Sequence, residues 1–153
     1  MADIRGNDGN NRLVGTGRSD RIRGDDGDDV LKGRGGNDQL EGDDGDDRLF
    51  GGGGNDVLDG GKGNDILVGG TGADIFRFGD NEGSDTIADF TDGVDLIKLS
   101  APGIANIGDL SIADDGAGNA VISFVSNGDA SQITLLGVAA ASLSASDFIF
   151  SPN

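Results

Sequence analysis

A repeat of nine residues governs the first half of this sequence. Read from Gly6, the chain runs GNDGNNRLV, GTGRSDRIR, GDDGDDVLK, GRGGNDQLE, GDDGDDRLF, GGGGNDVLD, GGKGNDILV and GGTGADIFR, ending at Arg77. Every block begins with glycine. Position four is glycine in all blocks but the second, where Arg18 stands. Position six is Asn11 in the first block and aspartate thereafter: Asp20, Asp29, Asp38, Asp47, Asp56, Asp65 and Asp74. Position eight is always large and apolar: Leu13, Ile22, Leu31, Leu40, Leu49, Leu58, Leu67 and Phe76. Ile4 keeps that phase ahead of the first full block. A period this strict points to a stacked repeat architecture.

One apolar residue in nine cannot support an isolated unit, whereas stacked units bury a continuous core. The expected fold is all-β: a parallel β-roll, a right-handed solenoid with two short strands and two turns per circuit. Glycine and Asp/Asn make the turns, and the last three residues of each block make a strand with its middle residue inward. Blocks i and i+2 then neighbour one another in one sheet, and odd and even blocks form two facing sheets. Strand spacing sets equivalent turns about 4.8 Å apart.

That spacing creates an electrostatic problem, because carboxylates line each edge of the roll at short range. A hard divalent cation removes it. Calcium takes carboxylate and carbonyl oxygens, magnesium fits a carbonyl cage poorly, and zinc or copper would ask for nitrogen or sulfur. The chain has no histidine and no cysteine. The Asp/Asp pairs 20/38, 29/47, 38/56, 47/65 and 56/74 suggest about five calcium ions. Asn11 with Asp29, and Asp65 with Asp85, suggest one or two terminal sites more. The turn glycines expected to supply carbonyls are Gly24, Gly27, Gly33, Gly36, Gly42, Gly45, Gly51, Gly54, Gly60, Gly63, Gly69 and Gly72. Five ions would bring the formal charge of −17 to about −7. The bland alternative, turns of solvated acids in a disordered chain, fits poorly with an invariant apolar position eight.

The same composition excludes other chemistry. Imidazole- and thiolate-based catalysis and disulfides are ruled out. The acidity disfavours nucleic acid as a partner. No apolar run reaches membrane-spanning length, and no N-terminal signal peptide is evident. Every carboxylate pair is explained by the repeat, and a single-file core offers no cleft, so no catalytic residue is assigned and the chain reads as a non-enzyme.

Ten of the eleven bases lie before residue 78, leaving Lys98 alone beyond it. Arg5, Arg12, Arg21, Arg23, Lys32, Arg48 and Arg77 flank the inward residue of their blocks and should project outward. Arg12, Lys32 and Arg48 would share one sheet, and Arg5, Arg21 and Arg23 the other. Two readings stand: solubility with local balancing of the turn acids, or a strip for an acidic polysaccharide.

From residue 78 the strict period stops. Alternating apolar patterns suggest strands near 85–90, 94–99, 120–125, 131–136 and 147–150. Asp92-Gly93, Asp115-Gly116 and Asn127-Gly128 read as turns, and 139–146 as a loop or short helical turn. Phe78, Phe90, Phe124, Phe148 and Phe150 suggest a β cap. The expected organisation is a calcium-binding roll over 1–77 and a C-terminal β cap over 78–153, continuous with it.

The blocks resemble the glycine- and aspartate-rich nonapeptide GGxGxDxUx of RTX proteins, most closely GGGGNDVLD at 51–59 and GGKGNDILV at 60–68. That resemblance implies a β-roll that orders on binding calcium, with position six supplying the ligands. Asn11, Arg18 and position two of several blocks depart from the pattern, so the first turns should bind weakly or fray. Ser84–Phe90 and Gly93–Ser100 are similar to the region beyond the roll in secreted RTX proteases, lipases and alginate epimerases. Leu135–Val138 and Leu143–Phe150 resemble the ends of proteins exported by type I secretion, whose machinery reads an uncleaved C-terminal signal. The resemblance therefore implies a secreted, extracellular bacterial module, monomeric and without membrane insertion. Three functional readings follow: a calcium-folded non-catalytic module, an alginate-binding accessory module of a mannuronan C5-epimerase, or the C-terminal module of a secreted protease or lipase.

Overall fold

The computed structural model describes residues 1–151; Pro152 and Asn153, the end of the expected C-terminal region, lie outside it. The strands are β1 (Asp3–Arg5), β2 (Arg12–Val14), β3 (Arg21–Asp26), β4 (Val30–Gly35), β5 (Gln39–Asp44), β6 (Arg48–Gly53), β7 (Val57–Lys62) and β8 (Ile66–Thr71). They continue as β9 (Ile75–Phe78), β10 (Ser84–Ile87), β11 (Leu96–Leu99), β12 (Ser111–Asp114), β13 (Ala120–Ser126), β14 (Asp129–Leu135) and β15 (Phe148–Phe150). One sheet has the order β1-β3-β5-β7-β9-β11-β15. The other runs β12-β13-β14-β10-β8-β6-β4-β2. All pairings are parallel except β12–β13 and β13–β14. The fold is thus an all-β, mostly parallel β-solenoid, with alternate blocks in alternate sheets.

Through the repeats, partners lie 18 residues apart, as Ile22↔Leu40 and Leu31↔Leu49 show. Position eight forms the core: Ile22, Leu31, Leu40, Leu49, Leu58, Leu67 and Phe76 are fully buried. Burying such a side chain contributes about 1.5–3 kcal/mol, and only the stacked neighbours above and below complete the burial. Leu13 and Ile4, at the open N-terminal end, are only partly covered.

The strands are longer than the three residues expected. From β3 to β8 each spans six residues, because pairing continues through the block-initial glycine and round the corner to position three. Block-initial Gly24, Gly33, Gly42, Gly51, Gly60 and Gly69 are therefore strand residues, not turn residues, and positive φ falls elsewhere. Position two bends each strand: Asp25, Arg34 and Asp43 take φ of 74°, 83° and 79° where later blocks have Gly52, Gly61 and Gly70. Position four, Gly27 through Gly72, carries the other left-handed residue.

The roll does not end at residue 77. Gly83, Asp85 and Ile87 repeat positions four, six and eight, and so do Gly93, Asp95 and Ile97. β10 pairs with β8 and β11 with β9, at offsets of 20 and 21 residues. The turns before Gly83 and Gly93 absorb the extra residues. Beyond them β14 and β15 add to the two sheets, and a hairpin across Asn127-Gly128, both at positive φ, adds β13. β12, absent from the sequence reading, forms the edge. The segment 139–146 holds a short 3-10 turn at Ala140–Ser142, and a second follows at Ala145–Asp147. Phe78, Phe90, Phe124 and Phe148 are buried, and Phe150 stacks on Phe148 at 5.8 Å.

Candidate metal centre

The position-six aspartates sit where each coil turns into its next strand. All seven, Asp20 to Asp74, are 1% exposed. Each uses Oδ1 to cap a backbone amide two blocks earlier. The N–H groups of Asp20, Asp29, Asp38, Asp47 and Asp56 donate to Oδ1 of Asp38, Asp47, Asp56, Asp65 and Asp74 at 2.7–2.8 Å. These are the five pairs read from the sequence, now joined by hydrogen bonds. Position five forms a second ladder in the opposite sense. The exposed side chain of Asn10 accepts from Asp28, Asp28 from Asp46, and Asp46 from Asn64.

The second oxygen of the buried carboxylates is the informative atom. Oδ2 of Asp29, Asp38, Asp47, Asp56 and Asp65 is buried with no hydrogen-bond donor among the described residues. An anionic oxygen out of water and without a donor is costly. Each lies against the block-initial glycine five residues earlier, where a Cβ would overlap it, as at Gly24 with Asp29 and Gly42 with Asp47. Glycine is thus required at position one for space, not for φ. Burial pushes Asp47 up to about 7 and Asp56 and Asp65 to about 6, and raises Asp29, Asp38 and Asp74 as well. A row of carboxylates resisting ionisation fits a hard cation that would hold them charged. Among the described residues no three acidic side chains converge on one point. The donor set that fits is therefore one or two carboxylates completed by backbone carbonyls, which suits calcium.

The ends of the ladder differ. Asp20 has both oxygens satisfied, by Ala2 N–H at 2.6 Å and by the Thr16 amide and hydroxyl at 2.7 Å. The Ala2 amide is the main cause that holds it down at about 2. Asn11 gives Asp29 its amide N–H and its side-chain nitrogen rather than an oxygen. Asp85 takes its place in the ladder, accepting from Asp65 N–H at 3.0 Å, and burial pushes it up to about 8. Asp95, missed in the sequence, accepts from Asp74 N–H at 2.9 Å while its Oδ2 accepts from Thr91. The signal that finds it is the spacing Gly-x-Asp-x-apolar at Gly93–Ile97. Glu82, also missed, is buried with a free Oε2 and is raised by burial to about 9.

The basic residues divide between the faces. In the β1-containing sheet, Arg5 pairs with Asp25 at 2.8 Å, and Arg21 with Glu41 at 3.2 Å. Arg23 pairs with Glu41 and, at 3.5 Å, with Asp43. In the β2-containing sheet Arg12 and Arg48 occupy one row on either side of Val30, and Lys32 lies one row away, over the Phe50 ring at 5.1 Å. Among the described residues these three make no ion pair. No helix among the described residues is long and apolar enough to cross a membrane.

The profile of the RTX calcium-binding nonapeptide repeat (4 copies) matches residues 5–40 and 41–76. A sequence search among curated proteins finds no match. Among solved structures, the AlgE6R3 subunit of the mannuronan C5-epimerase of Azotobacter vinelandii is 34% identical, with a TM-score of 0.56, over 95% of this chain and 81% of that one. The AlgE6R2 subunit of the same enzyme is 31% identical, with a TM-score of 0.55, over 97% of this chain and 92% of that one. The extracellular lipase LipA of Serratia marcescens shares the fold at 18% identity and a TM-score of 0.50, over 97% of this chain and 40% of that one.

Proposed function

Because this chain belongs to the RTX calcium-binding nonapeptide-repeat family, we propose that it is a calcium-folded accessory module that holds an acidic polysaccharide for an attached secreted enzyme. It is a non-catalytic β-roll, structurally close to epimerase accessory subunits. The observation that carries the calcium reading is the row of buried Oδ2 atoms without donors. Asp29, Asp38, Asp47, Asp56 and Asp65 would hold the ions, with Asp20, Asp74 and Asp85 at the ends of the row. Calcium, when bound, neutralises these carboxylates and ties successive coils together. Without it, their repulsion and the chain entropy of the glycines favour the unfolded state. About five ions are expected, and folding coupled to them follows mass action.

The polysaccharide reading rests on Arg12, Lys32 and Arg48. Arg5, Arg21 and Arg23 are engaged with carboxylates, so the β2-containing sheet offers the cations that remain available. Arg12 and Arg48 stand two strand spacings, about 9.6 Å, apart, with Phe50 beneath Lys32 for the apolar face of a sugar. Alginate is the acidic polymer this proposal names, in keeping with the epimerase subunits it resembles. The segments resembling type I export signals, Leu135–Val138 and Leu143–Phe150, are built into the folded sheets or their turns. Export through that machinery to the exterior would therefore use the calcium-free, unfolded chain.

The test is a titration of the calcium-loaded chain with mannuronate oligomers, followed by amide shifts. Shifts centred on Arg12, Lys32 and Arg48 are expected. Their absence at millimolar oligomer, or shifts centred on Arg21 and Arg23, would overturn the assignment of this face. Unchanged far-UV circular dichroism on calcium removal would overturn the calcium reading separately.

A further inference from the structure

At the C-terminal end of the roll, an open groove of about 710 Å³ lies beside the antiparallel hairpin. Ser84, Gln132, Ser123 and Ser111 line it and form a single row across β10, β14, β13 and β12. They alternate along their strands with the inward Asp85, Ile133 and Ile122, so the row belongs to the outer face. Among the described residues none of the four side chains makes a hydrogen bond. Val125, 62% exposed, adds an apolar surface one step along. Asp109, the one charged residue of the lining among the described residues, turns its Oδ2 to the amides of Ala105 and Asn106 at 2.9 and 3.0 Å.

We infer that this groove is a second carbohydrate site, for an uncharged, hydroxyl-rich glycan. Three hydroxyls and a carboxamide offer donors and acceptors together and no net charge, the pattern that matches sugar hydroxyls. The row repeats at the strand spacing of about 4.8 Å, close to the advance of one ring in an extended glycan. A polyuronate is disfavoured, because no base lines the groove and the region around it is acidic. A peptide would add along the outer edge of β12 through backbone groups, whereas three of the four side chains in the row stand on β10, β13 and β14, which are paired on both sides. The site lies on the same sheet as Arg12, Lys32 and Arg48 but toward its other end, with β8 between β10 and β6, and it uses none of those three residues.

The experiment is an amide-shift titration of the full chain in calcium with cellohexaose, mannohexaose and a mannuronate hexamer, each to about 10 mM. Either neutral hexaose should move the amides of Ser84, Ser111, Ser123 and Gln132. Ser123→Val and Gln132→Ala should each weaken that binding by about fivefold, with the calcium-loaded circular dichroism spectrum unchanged. If Ser123→Val fails to fold, the exposed Gln132→Ala still reads the contact. The inference is overturned if neither neutral hexaose moves these amides. It is equally overturned if the mannuronate hexamer moves them more strongly, or if the folded variants bind as the parent does.

Discussion

The backbone N–H of Asp47 donates to Oδ1 of Asp65 at 2.8 Å, and Oδ2 of that same carboxylate is buried without a donor. One side chain thus does two jobs that can be separated. Oδ1 stitches coil to coil whether or not a cation is present. Oδ2 adds a buried charge that burdens the fold until something positive meets it.

Asp65→Asn keeps an oxygen for the amide of Asp47 and removes the charge. In calcium it should lose about tenfold in affinity at its site, or about 1.4 kcal/mol. That lowers the melting temperature by about 3–6 °C for a chain of this size. In calcium-free buffer at neutral pH the same variant should show as much β structure as the parent or more. Thermal melts in calcium and circular dichroism without it read the two effects, and a loss in both buffers would contradict the division of roles.

The pH dependence has a defined sign. Burial pushes Asp47 up to about 7, and Asp56 and Asp65 to about 6, against 3.8 for an aspartate in water. The calcium-free roll binds these protons more tightly than the unfolded chain does. The stabilisation is full below about pH 4 and is lost as pH rises through 6 to 7. Calcium-free chain should therefore gain β structure on acidification from about pH 8 to 5, as circular dichroism would show. Calcium uptake should release protons near pH 6, measurable by calorimetry in two buffers of different ionisation enthalpy.

Two glycines should respond oppositely to alanine. At Gly42 the backbone is ordinary, but a Cβ would overlap Asp47 Oδ2 and the Gly60 carbonyl. Gly42→Ala should cost about 1–3 kcal/mol. At Gly35 the nearest atom to a Cβ is 3.8 Å away and φ is not positive. Gly35→Ala should be neutral, or stabilising by about 0.4–1 kcal/mol through the unfolded chain. Urea unfolding in calcium gives both values.

Arg12→Ala combined with Arg48→Ala should weaken mannuronate oligomer binding by about tenfold and flatten its salt dependence. Arg21→Ala should change binding by less than about twofold, because that guanidinium is already paired with Glu41. Titration at two ionic strengths separates the faces.

Much of this was readable along the chain. The nine-residue period placed Leu31 over Leu49 and Asp29 beside Asp47 without coordinates, because strand pairing turns a fixed period into a fixed neighbour. The continuation past Arg77 was harder to read. The Gly-x-Asp-x-apolar signature survives at Gly83–Ile87 and Gly93–Ile97, but added turn residues shift its phase. Asp95 therefore fell outside the count although it caps Asp74 as Asp74 caps Asp56.

The sequence by itself determined the stacking unit, the core column and which carboxylates meet, since all three follow from spacing. Only the tertiary structure decided why position one must be glycine: the obstacle is the carboxylate five residues on and the carbonyl of the next coil in that sheet, not φ. It also decided which arginines remain available, because Glu41 reaches Arg21 and Arg23 while no acid among the described residues reaches Arg12 or Arg48. Those outcomes depend on side-chain reach between coils, and a linear period specifies neighbours without specifying reach.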